Sequence, residues 1–496
     1  MRKTILFFAL PLLASCTGTW DEHYDVTTRT DKTLWEVISS RNDLNSFAQL
    51  LEKDGYDKYL DATQRFTVWA PEGTVSTTSA AGKAMTDEEI LTQVTENHIA
   101  RSVVSLSSAG YDTITVLNGK RMPYGSSYFN NATVTEKNIE CTNGILHILE
   151  SQAKFNHNVW TYLRQDAELN DVCDYLYSFN YYEFDPDQST LGGVVGGQKY
   201  YTDSVFVVNN ELWSQIGNLS DENKNYIFLA PENSVWNEAI EEFRSFFNYK
   251  DAENEGLSDE YAKKALVNRL AYDTSNKEDM ANLKDINLEG TVVVECSNGM
   301  IYKTDEQVFD PYKIVVDDII VEAEQESKYQ TAKNNCSDDD KAVAVTKAGI
   351  SVSNNYFMCF TPSSAILKPT VTYALPNVLS AKYDIGVVMV PINLTANGYS
   401  SSIEQKKAKL SFELTDKQTG ADIKVDNVIY EGTGIDTIWV VKDYEFEYCD
   451  YFPEQTSWNE NANVKLKITN NVKRSETSEY TRYMYIDCIV LKPKRD

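Results

Sequence analysis

Seven aromatic side chains crowd into one short stretch: Trp439, Tyr444, Phe446, Tyr448, Tyr451, Phe452 and Trp458. Flat rings stack on the apolar C–H faces of sugars, while carboxylates and amides such as Asp443, Asp450 and Asn459 take the hydroxyls. The chemistry on offer is non-covalent capture of a glycan, with Trp439, Tyr444, Tyr448 and Trp458 as the ligand-binding candidates. Tyr444, Phe446 and Tyr448 also recur with period two, which equally suits the inner face of a strand. Trp458, in the polar run Gln455-Thr456-Ser457-Trp458-Asn459-Glu460, is the ring expected to be most exposed.

Reactive chemistry is sparse. The histidines, His23, His98, His147 and His157, form no His-Glu-x-x-His, and there is no Gly-x-Ser-x-Gly elbow. His98, beside apolar Ile90, Leu91 and Ile99, reads as a packed residue rather than a ligand or base. Asp338-Asp339-Asp340 offers oxygens of the kind calcium takes but lacks the spacing and glycine of an EF-hand loop, and reads as a solvated charge run. The paired glycines of Gly192 to Gly197 lack the Lys-Ser/Thr ending of a phosphate loop. No catalytic residue, metal set or cofactor is expected, and the chain is not expected to be an enzyme. Without Cys16 the cysteines number seven, with no Cys-x-x-Cys; Cys141, Cys173 and Cys296 read as small buried hydrophobes, and a pair involving Cys449 stays open.

The elements that position these residues follow from an internal repeat. Glu140-Cys141-Thr142-Asn143-Gly144-Ile145-Leu146 returns as Glu295-Cys296-Ser297-Asn298-Gly299-Met300-Ile301. Thr33-Leu34-Trp35 matches Asn158-Val159-Trp160, each opening on a helix-capping residue, with Glu36 completing a capping box in the first copy. Leu44, Phe47, Ala48 and Leu51 answer to Leu169, Val172, Cys173 and Leu176, both with the spacing of one helix face. Phe66-Thr67-Val68-Trp69-Ala70-Pro71-Glu72 answers to Ile227-Phe228-Leu229-Ala230-Pro231-Glu232. Between those last two matches the offset grows from 125 to 160, so the second copy carries an insertion of 35 residues. Its aromatics, Tyr181, Tyr182, Phe184, Tyr200 and Tyr201, suit a long hairpin or a mobile loop.

A Leu-Trp helix start, a strand ending Ala-Pro-Glu, the Asn97-His98-Ile99 segment and a late Asn-Gly strand together resemble fasciclin domains in tandem, over roughly residues 31 to 305. The second copy departs from the pattern, with Asn268-Arg269-Leu270 in place of Asn97-His98-Ile99 and no clear counterpart of the Asn118-Gly119 hairpin. From Ile314 onward short β-branched and aromatic segments alternate with turns, as in a β-sandwich. The final strand, Tyr483 to Pro493, and Leu375 to Ile385 resemble those of a galactose-binding-like jelly roll. The expected fold class is α+β: two tandem fasciclin-like domains followed by an all-β, jelly-roll-like sandwich. The expected divisions are 1–16 leader, 17–30 tether, 31–154 first repeat, 155–310 second repeat with its insertion near 180–221, and 311–496 sandwich.

Arg2 and Lys3 precede an apolar run, Ile5 to Leu13, too short to span a bilayer. Leu13-Ala14-Ser15-Cys16 resembles a bacterial lipobox, which implies cleavage before Cys16 and its lipidation. Asp21 and Glu22 just beyond resemble the surface-export signals of some Gram-negative lipoproteins; a His there on a flexible tether preorganises no metal site. The net charge of −28 opposes nucleic acid and anionic headgroups as partners.

The expectation is a cell-surface lipoprotein of the outer membrane, lipid-anchored and facing the exterior. The resemblances imply adhesion or glycan capture, alongside an outer-membrane glycan-import system, with a glycan or a cell-surface protein as partner. The alternative is a non-catalytic scaffold that docks on a membrane transporter without binding glycan. Exposed aromatics on the C-terminal domain favour capture, and their burial favours the scaffold.

Overall fold

Thr33 starts the first helix, Leu34–Ser40, in the computed structural model, which describes residues 28–79, 82–106, 110–195, 198–284 and 286–494. Cys16, Asp21, Glu22 and His23 lie outside the described residues. The Thr33 hydroxyl accepts the Glu36 amide while the Glu36 carboxylate accepts the Thr33 amide at 2.8 Å, closing the predicted capping box. After a short turn the helix Asn45–Lys53 buries Phe47, Ala48 and Leu51 on one face. The described chain falls into two units. One runs to Gln165 and takes in Leu219–Tyr226 and Glu295–Met300; the other holds Asp166–Asn218, Ile227–Val294 and the residues from Ile301 onward.

In the first unit, helices cover a sheet whose centre is a parallel pair. Phe66–Pro71 lies beside Gly144–Leu149, Phe66 opposite Gly144 and Pro71 opposite Leu149. Every residue of both strands is buried, which explains their unbroken apolar character. Successive side chains point to opposite faces. Val68 and Ala70 therefore join Phe47 and Leu51 under the helices, while Trp69 joins Phe129, Met122 and Leu149 on the other side. Ile99–Ala100 flanks Phe66–Pro71, and Ala132–Cys141 flanks Gly144–Leu149 before the sheet continues through Tyr128–Phe129 and Arg121–Gly125 to Tyr111–Thr115.

The Asn-Gly doublet fastens helices to sheet. Asn143 is 3% exposed; its side-chain oxygen accepts the Leu34 amide at 2.8 Å, and its nitrogen donates to the carbonyls of Leu60 and Ala62, both at 2.7 Å. Asn298 repeats the arrangement, accepting the Val159 amide at 2.8 Å and donating to Leu219 at 2.9 Å and Asp221 at 3.1 Å. The following glycine admits the neighbouring backbone: a Cβ at Gly144 would sit 2.0 Å from the Phe66 carbonyl oxygen, and one at Gly299 2.0 Å from that of Tyr226. The strand order also repeats, with Ala271–Asp273, Tyr226–Pro231, Gly299–Thr304 and Val292–Cys296 taking the places of the four strands around the first doublet. Lys120, 6% exposed, donates to Glu222 at 2.5 Å and to the Ser297 hydroxyl at 2.9 Å. His98 is fully buried and neutral: its Nε2 accepts the Ala153 amide at 2.9 Å, so Nδ1 donates to the Val94 carbonyl.

In the second unit, Val172, Cys173 and Leu176 are buried on the helix Asn170–Tyr177. The insertion is a lone antiparallel hairpin, Asn180–Val195 against Gln198–Asn210, which pairs with no other strand among the described residues. The C-terminal sandwich has two sheets. One orders Lys341–Ala344, Tyr356–Phe360, Met484–Pro493, Lys382–Met389 and Asp436–Glu445, with Ile319–Glu322 also on Met484–Pro493. The other orders Gln330–Asn334, Thr370–Ala374, Val464–Asn470, Ala408–Asp416 and Ala421–Tyr430. The chain is thus α+β, two tandem repeats followed by a sandwich. All seven described cysteines are free thiols, Cys449 included. No helix among the described residues is long and apolar enough to cross a membrane.

Two outcomes follow. Asn143→Ala leaves an amide and two carbonyls unpaired in a dry site, so it is expected to cost about 3 kcal/mol by denaturant unfolding, with Gly144→Ala costing at least as much. Burial holds both His98 and His147 down at about 4, against an ordinary value near 6.5. Their stabilisation is complete above pH 6.5 and is lost as pH falls through 4, on the order of 3 kcal/mol each. Thermal melts between pH 7.5 and 4 check this; a flat profile contradicts it.

Candidate functional site

The aromatic stretch does not form one surface. Trp458 is 9% exposed: it stacks on Tyr329 at 5.7 Å, and its amide donates to the Lys328 carbonyl at 2.9 Å. The expectation that it is the most exposed ring is therefore corrected. Its polar neighbours in sequence face solvent, but the short helix Glu326–Tyr329 supplies the ring with a cover. Tyr444, half-buried, packs against buried Phe446 at 4.7 Å and donates to Asp416 at 3.2 Å. Tyr448 lies under the Lys250 ammonium at 5.9 Å. Only Trp439, 36% exposed, keeps a free flank, beside the Lys492 ammonium and flat over Gly386.

The period-two pattern of 444, 446 and 448 persists in burial, with Glu445 and Glu447 exposed between them, although the strand itself is irregular and ends within the pattern. Asp443 takes a left-handed φ of 52°, the register shifts between Tyr383 and Ile385, and the strand ends at Glu445. Tyr451 and Phe452 turn instead to the second repeat: Tyr451 meets Phe247 at 5.3 Å and Tyr261 at 5.1 Å, and Phe452 meets Tyr249 at 5.4 Å. Backbone bonds tie the same seam, from Ser380 to Phe246 and from Cys449 to Asn248, both at 2.9 Å. These aromatics hold two folded pieces together.

Two surfaces among the described residues combine exposure with a regular arrangement of side chains. On the hairpin, Tyr182 opposite Val208 and Phe184 opposite Phe206 share one face, with Tyr182 75%, Phe206 57% and Val208 42% exposed. On the five-stranded sheet, Leu410, Phe412, Leu414, Val464, Leu466 and Ile468 point into the core, so the alternate residues Glu413, Thr415, Lys465 and Lys467 face out. Together with Thr331 and Thr372 they line a trough of about 200 Å³.

A carboxylate cluster escaped the sequence reading, which expected no metal set. Glu322 and Asp487 come together with Cys488, ligand atoms within 4.8 Å of one another. The Ser353 amide donates to Asp487 at 2.9 Å, the Ser353 hydroxyl to Glu322 at 2.6 Å, and the Asn354 amide group to Glu324 at 3.0 Å. The second oxygens of Glu322 and Glu324 are buried without a hydrogen-bond partner. Burial pushes the Asp487 carboxyl up to about 7, and raises Glu322 as well. Burial likewise raises the Cys488 thiol, which disfavours the thiolate that zinc requires. The raised carboxyls are for the same reason held towards their neutral form, and two of them fall short of the roughly six to eight oxygens calcium takes. The signal in the sequence is faint: Glu322 and Glu324 two apart at the end of an apolar strand, and one Asp inside the apolar closing strand. Asp340 of the acidic run is instead spent locally, accepting the Thr361 amide at 2.7 Å.

The fold thus defines a class, a duplicated α+β module joined to a β-sandwich. Residues 42–152 match the model of the fasciclin domain family. A FAS1 domain pair from the insect cell adhesion molecule fasciclin I is similar over 55% of this chain and 99% of its own, at 13% identity and a TM-score of 0.21. An exo-beta-1,3-galactanase from Phanerochaete chrysosporium is similar over 36% of this chain and 29% of its own, at 9% identity and a TM-score of 0.19. CBM22-1–GH10 modules of a Clostridium thermocellum endo-1,4-beta-D-xylanase, complexed with xylohexaose, are similar over 34% and 28%, at 15% identity and 0.19. The chain spans less than a third of either enzyme structure. No curated protein matches the chain.

Proposed function

We propose that this chain is a non-catalytic adhesion module, anchored through a lipidated Cys16 on the exterior of a Gram-negative outer membrane, that docks on a protein partner. The single observation that carries the reading is the hairpin. It presents Tyr182, Phe206 and Val208 to solvent from a ribbon that no other described strand supports, while of the four rings expected to take a sugar Trp458 is buried, Tyr444 and Tyr448 are half-buried and Trp439 stands apart from them. Large exposed aromatics on one face are what a docking surface supplies. The fasciclin match supports adhesion, and the Leu13-Ala14-Ser15-Cys16 segment supports the anchor. Anchoring raises effective concentration, so a modest interface suffices against a neighbour in the same membrane, and an outer-membrane transporter is a partner that geometry allows.

The second reading is glycan capture. The trough on the five-stranded sheet favours it, because Thr331, Thr372 and Thr415 with Glu413 and Lys467 offer the hydroxyl and charged groups that sugar hydroxyls pair with.

Tyr182→Ser with Phe206→Ser in the full chain should lower recovery of co-purifying outer-membrane protein from detergent extracts about fivefold or more, a loss of roughly 1 kcal/mol of docking. The melting temperature should not move, since neither side chain belongs to a core. In the same extracts Cys16→Ser should shift the protein from the membrane to the soluble fraction. Unchanged recovery from the hairpin variant contradicts the docking surface, and unchanged fractionation contradicts the anchor.

A further inference from the structure

The trough has a charge feature that a neutral sugar site does not call for. At its mouth Lys465 and Lys417 both donate to one acceptor, the Glu460 backbone carbonyl, at 2.9 Å and 3.1 Å. Each ammonium has three N–H donors and gives one to that oxygen. Among the described residues neither lies within ion-pair distance of a carboxylate, although the chain carries 74 acidic residues against 46 basic ones. The neighbouring lysines of the same sheet are matched: Lys467 and Lys424 both pair with Glu413, at 2.9 Å and 3.4 Å. Two like charges held side by side repel each other: burial first, and then repulsion from Lys417, hold the Lys465 ammonium below its usual value, with the Glu460 carboxylate only partly offsetting them. A bridging anion would remove that repulsion.

We propose that the trough binds an acidic glycan, its carboxylate or sulfate seated between Lys417 and Lys465 and its ring hydroxyls on Thr331, Thr372 and Thr415. This rests on the second reading above, the trough as a glycan site, and supplies its ligand class. The net charge of −28 does not forbid it. Exposed charges farther than about 8 Å are screened at physiological salt, so the local pair decides. Glu460 lines the trough, offering its main-chain oxygen to both lysines, and its exposed carboxylate is a partial counter-charge to Lys465 that an incoming anion has to displace. Duplex nucleic acid stays excluded, because its dense phosphate charge and its width suit neither the trough nor the surrounding acidic surface.

The test is binding of the full chain to polygalacturonate, to chondroitin sulfate and to neutral galactan and xylan. Polygalacturonate or chondroitin sulfate is expected to bind, and their ratio tells carboxylate from sulfate as the anchoring group. Raising NaCl from about 50 to about 300 mM should weaken binding severalfold, as screening requires. Lys417→Ala with Lys465→Ala should weaken it about tenfold or more at unchanged melting temperature, while Lys341→Ala, an exposed lysine on the other sheet, should leave it unchanged. Equal loss in Lys341→Ala would show general charge attraction and overturn the site. Binding to the neutral glycans alone would overturn the acidic ligand and keep the glycan reading. Binding to none of the four polymers would overturn both this inference and the trough reading it rests on, and would leave the hairpin docking untouched.

Discussion

A carboxamide at the start of a central strand carries the architecture of each repeat. Asn143 reaches from the sheet to a helix N-terminus with its oxygen and to two loop carbonyls with its nitrogen. Three backbone groups that would otherwise be buried without partners are satisfied by one side chain, and the helices can then close over Val68 and Ala70. Gly144 completes the join, since any side chain there would strike the Phe66 carbonyl. Because Asn298 and Gly299 repeat each of these contacts in kind, the duplication is a duplication of this clamp as much as of a sequence.

Once the repeats are closed, the aromatic residues between them and the sandwich take on structural work. Tyr451 meets Phe247 and Tyr261 edge to face and Phe452 meets Tyr249 at a tilt, with main-chain bonds running alongside. That use of the rings withdraws them from ligand binding. Among the described residues the insertion hairpin and the outward face of the five-stranded sheet offer recognition surfaces of different chemistry, one apolar and one made of hydroxyls and charge.

Local patterns were readable from the chain and distant pairings were not. The helix carrying Phe47, Ala48 and Leu51 follows from spacing alone, and the α+β repeats with a β-sandwich after them follow from periodicity and turns. The Asn-Gly doublet was visible because it recurs, but its partners stand 109, 83 and 81 residues away, so its role was not. Trp458 misled because exposure was inferred from polar flanks, whereas its cover comes from Tyr329. Tyr444, Phe446 and Tyr448 alternate with exposed neighbours as period two suggests, and of the two uses that spacing left open it is the inner face that Phe446 takes. Glu322 and Asp487 meet only when the first and last strands of the sandwich pair, which no local signal reveals.

The clamp also ties the lifetime of the protein to its folding. Asn followed by Gly is the dipeptide most prone to deamidation, because the glycine nitrogen can attack the side-chain carbonyl to form a succinimide. In the folded chain the Asn143 carboxamide is immobilised by three hydrogen bonds and shut away from water, so it cannot rotate into the attacking geometry. Deamidation at Asn143 or Asn298 then waits on local opening, and each event replaces the amide donor with a carboxylate facing two carbonyls. A molecule that has opened too often would be chemically marked, and unable to close again in the same way.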